Sequence, residues 1–260
     1  MAYHPPTCGY DDGARDASIE ALLSVISGAF RRMMLGIVGG LGPESTIDYY
    51  RRILSEWKRD DPESSPSIII DSLDVDYGLR LVETDRPALV EYLSASLARL
   101  GAAGADFAAM AANTPHVVFD ELAARSPIPV LSIVEACADE ADRRGLKRLA
   151  LLGTRFTMEG TFYSTAFGRR GMEIVTPESE ERTWIHDRYI GQMLRGDFRD
   201  ETRDGVVALI KRLREDEKID GVILGGTELT ILLSAPVVAG VPALDTTAVH
   251  VAAIVERLRS

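Results

Sequence analysis

Three stretches of this 260-residue chain carry side chains that could do chemistry together. Asn113-Thr114-Pro115-His116 and Gly226-Thr227-Glu228 each place hydrogen-bonding groups directly after a buried apolar run. In open parallel sheets that is where ligands collect. Gly39-Gly40-Leu41-Gly42-Pro43-Glu44-Ser45-Thr46 offers close backbone approach at its glycines and donors from Ser45, Thr46 and a helix start, which suits a carboxylate or phosphate. It is neither a Walker sequence nor a dinucleotide fingerprint, since the glycine spacing differs and Pro43 has no amide hydrogen; a plain strand-to-helix turn explains it equally well. An imidazole titrates near neutrality, so His116 could shuttle a proton, or only cap a turn. Glu228 could act as a base, or brace its loop by accepting backbone amides.

The elements that must hold these groups follow from the apolar pattern. Ser67–Ile70, Ala105–Met110, Val130–Val134, Leu149–Leu152 and Gly221–Leu224 are continuous apolar runs, as expected of parallel strands covered on both faces. Helical spacing predicts helices at Arg86–Leu100, Glu135–Arg144, Arg203–Glu217 and Thr247–Leu258. The chain also repeats itself at an offset of 114 positions: Leu35-Gly36-Ile37-Val38 matches Leu149-Ala150-Leu151-Leu152, and Tyr49 matches Tyr163. At the same offset Ala105–Met110 matches Ile219–Leu224, with Asp106 and Asp220 in register. Two related α/β halves with their strand ends facing one cleft are the expected arrangement.

Composition narrows the partners. With 46% apolar and 27% charged residues and a mean hydropathy of zero, the chain can bury a sizeable core. Forty acidic against 29 basic side chains give a formal charge of −11, which repels phosphate backbones and anionic lipid, so neither nucleic acid nor a membrane is expected as partner. No signal peptide or membrane span is indicated, and a cytoplasmic location is expected. Two cysteines, Cys8 and Cys137, supply neither a disulfide framework nor a cysteine-rich zinc site; no metal and no cofactor is expected. Residues 1–33 read as a loose lead-in followed by one amphipathic helix carrying Ile19, Leu22, Leu23, Ile26 and Phe30.

From Leu35 to about Ala253 the chain resembles the aspartate/glutamate racemase family, the cofactor-independent racemases related to hydantoin racemase and arylmalonate decarboxylase. The likeness rests on Gly39–Thr46, Asn113–His116, Leu152-Gly153-Thr154-Arg155-Phe156-Thr157-Met158, Leu224–Leu229 and Asp245-Thr246-Thr247. It implies an α/β fold of two similar domains, with parallel sheets covered by helices, pseudo-two-fold symmetry and the active site between them. The last helix returns to the first domain, giving residues 34–130 plus 237–260 as one domain and 131–236 as the other. It implies a homodimer and a small carboxylate or amino-acid ligand, with Gly42, Ser45, Thr46, Asn113, Thr114 and Thr227 binding it and Arg51 pairing with a distal carboxylate.

The family's two acid/base residues fall at Ala112 and Gly226, which can move no proton. The expected activity is therefore amino-acid racemisation without pyridoxal phosphate, on aspartate, glutamate or a related carboxylate, through replacement groups. His116, Glu228 and Thr227 are the candidates, with His186 and His250 behind them, and water in the room beside Ala112 and Gly226 is a further option. A catalytically silent carboxylate-binding protein and a related lyase or isomerase are the alternatives. Cys137 reads as a small buried residue on a helix.

Overall fold

In the computed structural model, residues 32–260 are described, and residues 33–260 form one compact unit. Cys8 and the helix expected within residues 1–33 lie outside the described residues. The first half alternates strands and helices: β1 (Met34–Gly39), α1 (Pro43–Asp60), β2 (Ser67–Ser72), α2 (Val75–Thr84), α3 (Arg86–Ala102), β3 (Phe107–Met110), a 3-10 turn at Thr114–Val118, α4 (Phe119–Arg125) and β4 (Val130–Leu131). Its sheet is wholly parallel in the order β2-β1-β3-β4. The second half runs α5 (Ile133–Arg143), β5 (Arg148–Gly153), α6 (Arg155–Glu159), α7 (Thr161–Gly168), β6 (Glu173–Val175), α8 (Ser179–Gly191), a 3-10 turn at Met193–Arg195 and α9 (Asp200–Asp216). It continues through β7 (Gly221–Gly225), α10 (Thr227–Leu232), β8 (Val237–Val238) and β9 (Val241–Asp245), before α11 (Thr246–Arg259). The order of this sheet is β6-β5-β7-β9-β8, parallel except for the short edge strand β8.

Strand side chains alternate between the two faces of each sheet, and both faces are covered. Leu35, Ile37, Phe107 and Ala109 enter one apolar cluster, while Val38, Ala108 and Met110 enter another. In the second sheet Leu149, Leu151 and Ile223 divide from Ala150, Leu152, Val222 and Leu224 in the same way. The repeat reaches down to register. Leu35 stands opposite Phe107 as Leu149 stands opposite Gly221, two pairs related by the same 114-position offset. The paired aspartates also do the same work: Asp106 accepts from the Met34 amide at 2.7 Å, and Asp220 accepts from the Arg148 amide at 3.0 Å.

Two boundaries differ from expectation. The run Val130–Val134 stops being a strand at Leu131, because the Ser132 hydroxyl accepts from the Glu135 amide and starts α5. The stretch 237–245 does not join the first half: β9 pairs with β7 in the second sheet, and only α11 crosses back. Val251, Ile254, Val255 and Leu258 of α11 pack with Leu35, Ile37 and Phe107, so the last helix closes one face of the first sheet. Asp245 marks the crossing. It caps α11 through the Ala248 amide and pairs with Arg52 of α1 at 2.7 Å.

Candidate active site

Because both sheets are parallel, the loops after β3 and β7 leave at strand ends that face each other, and the turn after β1 joins them. Ser45, in the first turn of α1, reaches across to the second half: its Oγ lies 2.6 Å from both Thr227 Oγ1 and Glu228 Oε1, and its single proton is shared between the two contacts. Thr227 Oγ1 also donates to Glu228 Oε2 at 3.0 Å. A second bridge joins Thr114 Oγ1 and Thr154 Oγ1 at 2.9 Å. Asn113, 3% exposed, accepts from Tyr163 Oη at 2.6 Å through Oδ1 and donates from Nδ2 to Thr246 Oγ1 at 3.2 Å. These contacts hold the two halves together over a cavity of about 30 Å³ lined by Ala112, Asn113, Thr114, Thr227, Glu228 and Tyr189.

The close approach expected of the glycine loop is real at two positions. A Cβ on Gly40, whose φ is +76°, would lie 2.2 Å from the Leu73 carbonyl oxygen, and a Cβ on Gly42 would lie 2.3 Å from Glu228 Oε1, so a side chain there would displace the Glu228 carboxylate. Thr46, by contrast, braces the turn and holds no ligand group out: its Oγ1 accepts from the Gly40 amide at 2.9 Å and donates to the Gly42 carbonyl at 3.1 Å.

Tyr189 on α8 was not among the expected site residues. Its hydroxyl donates to Glu228 Oε2 in a very short hydrogen bond and accepts from the Glu228 amide at 3.4 Å. Its ring stands where a side chain at position 226 would begin: a Cβ on Gly226 would meet Tyr189 Cε2 at 2.4 Å and its hydroxyl at 2.8 Å. The room beside Gly226 is therefore filled, and the idea that water occupies it does not hold. Burial and the neighbouring Glu228 raise the Tyr189 hydroxyl well above its ordinary range, so the phenol is neutral. The sequence signal for Tyr189 is its place four residues after Ile185, in a helix begun by a Glu178/Glu181 capping box; that spacing reads as core.

Several expected site residues stand elsewhere. His116 is 2% exposed and has both ring nitrogens occupied: Nε2 accepts from the Ile133 amide at 3.3 Å, so Nδ1 donates to the Asn113 carbonyl at 3.2 Å. Its ring stacks on Phe119, and burial pushes its pKa down to about 4. It is a neutral strut behind the Asn113 loop and does not line the cavity. His250 is likewise engaged, with Nδ1 on the Tyr49 hydroxyl at 2.9 Å and Nε2 on the Leu131 carbonyl at 3.2 Å, and burial holds it at about 3. His186 accepts from the Arg155 amide at 3.2 Å and is outside the cavity. Cys137 is fully buried in the second-half core, where desolvation raises its thiol.

Arg51 is exposed. The buried stripe of α1 is Ser45, Tyr49, Ile53 and Trp57, and two residues of turn put Arg51 roughly 200° from Tyr49, on the solvent side. Its neighbour Arg52 is committed to Asp48 and Asp245, each at 2.7 Å. Neither arginine lines the cavity. Arg51→Ala is accordingly expected to change stability by less than about 0.5 kcal/mol, read by thermal denaturation, and to leave ligand binding unaltered.

Apart from Thr154, the rest of the cavity wall is hydrocarbon, mainly from Leu41, Val75, Leu79, Val82, Ile190 and Leu194. Among the described residues, no lysine, arginine or histidine lines it, and Glu228 and Tyr189 are its titratable groups. No group of described residues could hold a metal ion, and no described helix is long and apolar enough to cross a membrane.

Comparison with known proteins agrees with this architecture. Residues 38–254 match the family model described as Asp/Glu/Hydantoin racemase. The chain is 26% identical over 153 residues to the broad specificity amino-acid racemase RacX of Bacillus subtilis (strain 168), covering 55% of this chain and 63% of that protein. It is 32% identical over 106 residues to glutamate racemase of Aquifex aeolicus (strain VF5), covering 40% of each. The match thus spans less than two thirds of either curated relative. Among solved structures, an aspartate racemase homologue from Pyrococcus horikoshii OT3 superposes with a TM-score of 0.74 at 33% identity, covering 87% of this chain and 99% of the other.

Proposed function

The chain belongs to the Asp/Glu/hydantoin racemase family, and from that premise we propose that it removes and returns the Cα proton of an amino acid, or a closely related carboxylate, whose side chain is apolar. The observation that carries this reading is the lining of the cleft: hydrogen-bonding groups from both strand ends on one side, hydrocarbon on the other, and no cation among the described residues. Asn113, Thr114 and Thr227 suit a carboxylate once they exchange part of their present protein partners for it. As the Cα–H bond breaks, negative charge spreads onto that carboxylate, and donors turned to it bind the enediolate more tightly than the ground state. Among the described residues no lysine stands in the cleft to form an imine with pyridoxal phosphate, so stabilisation by hydrogen bonds is the course the residues favour.

Aspartate and glutamate fit poorly. A second carboxylate would enter beside the buried Glu228 with no positive partner, and burying an unpaired charge is costly. A cavity of about 30 Å³ also has to widen before an amino acid enters. The broad-specificity activity named for RacX is compatible with a neutral substrate.

The test is solvent exchange. Protein in D₂O with L- and D-leucine, L- and D-phenylalanine, and L- and D-aspartate is expected to wash deuterium into Cα of the apolar amino acids and not of aspartate. Exchange confined to aspartate would reverse the substrate class. Binding of leucine or phenylalanine without exchange would favour a silent carboxylate-binding protein, a reading supported by Ala112 and Gly226 at the two strand ends.

A further inference from the structure

We propose that Tyr189, through its hydroxyl and the Glu228 carboxylate behind it, is the proton-transfer group of this cleft and serves one face of the bound carbon only. The inference rests on the Cα-proton reading above and adds which atoms move the proton. Three observations carry it.

The first is elimination. Among the described residues lining the cavity, Tyr189 and Glu228 are the titratable ones. His116, His186 and His250 stand outside; both ring nitrogens of His116 and His250, and Nδ1 of His186, are bonded to protein groups. The second is that the protons in the cluster are shared. Ser45, Thr227, Tyr189 and Glu228 make four oxygen–oxygen contacts, and three hydroxyls supply the protons. A proton here has more than one resting place, the condition for relay through hydrogen-bonded oxygens. The third is position. The Tyr189 oxygen lies 2.8 Å from where a Cβ of residue 226 would be, at the end of β7. At the end of β3, in the first half, stand Ala112, Asn113, Thr114 and Pro115, with Thr154 after β5 beside them, none of them titratable in the range of ordinary acid/base work.

The step balances within these groups. As the substrate Cα–H bond breaks, its proton goes to the Tyr189 oxygen while the Tyr189 hydroxyl proton passes to Glu228 Oε2. The C–H bonding pair stays with the substrate and moves into its carboxylate as the enediolate. Reversal returns a proton from Tyr189 to the face it left, and the Glu228 proton moves back to the phenol; deuterium enters the substrate when the shared protons of the cluster trade with solvent before that return. Relay to the carboxylate is what lets a phenol that burial keeps neutral act as a base at all. With nothing to deliver a proton from the Ala112 side, exchange should outrun inversion.

The experiment follows both rates on the full chain. Using L-leucine and L-phenylalanine in D₂O, NMR reads Cα deuteration and chiral chromatography reads the D-enantiomer. Deuterium should enter at least about tenfold faster than inversion occurs, and Tyr189→Phe should lower exchange by about 10²-fold or more. Phenylalanine keeps the ring that fills the room beside Gly226, and an unchanged thermal midpoint will show that the variant folds. Glu228→Gln, which can hydrogen-bond but cannot take the relayed proton, should lower exchange comparably. If Tyr189→Phe and Glu228→Gln exchange within threefold of the parent, the assignment of Tyr189 is overturned while the Cα-proton reading stands. If inversion keeps pace with exchange, one-face transfer is overturned. If the parent protein exchanges neither amino acid, both this inference and the function it rests on fall.

Discussion

Gly226→Cys is expected to destabilise the protein by about 1–3 kcal/mol, and combining it with Tyr189→Ala is expected to cost less than the two separate losses summed. The reason is overlap. The first atom of any side chain at position 226 would lie 2.4 Å from Tyr189 Cε2, inside the ring's contact distance. Tyr189→Ala alone empties a buried aromatic site and should cost about 3–5 kcal/mol. In the double variant the thiol enters the space the ring has left, so the two losses should not add. A double-mutant cycle in urea should give a favourable coupling of about 1–3 kcal/mol. Additive losses would contradict the contact. The same geometry bears on activity: Ala112→Cys with Gly226→Cys alone leaves the ring in place and is expected to invert leucine no faster than the parent. Adding Tyr189→Ala to that pair puts two thiols at opposite strand ends with room between them, and measurable inversion is expected there by chiral chromatography.

Acid should weaken the fold well before its carboxylates titrate. In the unfolded chain a histidine has a pKa near 6.5, whereas burial holds His116 at about 4 and His250 at about 3 in the folded protein. Between those values the unfolded state binds protons that the native state refuses. Stability therefore falls as pH drops below 6.5, and the loss continues through the folded values. By pH 5 the two histidines together should cost about 4 kcal/mol, at 1.36 kcal/mol per pKa unit. His186, lowered by partial burial and Arg155, adds in the same direction. Asp71 and Glu140 are held low by Arg99 and Ser96 and by Arg143 and Arg144, so their contributions are lost only as pH falls below the ordinary carboxylate range. Urea midpoints at pH 7, 6 and 5 isolate the histidine window. His116→Gln with His250→Gln should flatten the slope there even if the variant is less stable at pH 7. A parent protein equally stable at pH 7 and pH 5 would refute neutral, buried histidines.

Most of the architecture could be read from residues because it depends on local rules that repeat. Continuous apolar runs give parallel strands, and the offset relating Leu35 to Leu149 also relates the strand partners and the aspartates that hold the strand starts. What escaped reading depended on rotation and on distance. Arg51 is one example: the stripe Ser45, Tyr49, Ile53, Trp57 fixes which side of α1 is buried, and a loop-centred reading passes over that phase. His116 is another, since its sequence position beside Asn113 carries no sign that Ile133 and Phe119 enclose it. Tyr189 is the hardest case. It lies on a helix remote in sequence from every strand-end motif, with core-like spacing, and only the folding of α8 over β7 brings its hydroxyl to Glu228.

The return of α11 to the first sheet has a consequence for synthesis on the ribosome. Strands β1 and β3 emerge early, yet Val251, Ile254, Val255 and Leu258, which cover one of their faces, are made only after the whole second sheet. Until then Leu35, Ile37 and Phe107 have Tyr49, Ile53 and Trp57 of α1 over them but not α11, and this face stays partly open on the nascent chain. Domain-by-domain folding during translation is thereby denied to the first half, which must wait in a state open to aggregation or to chaperone capture while the second half completes. The two halves look alike, but they cannot mature in the same order in which they are made.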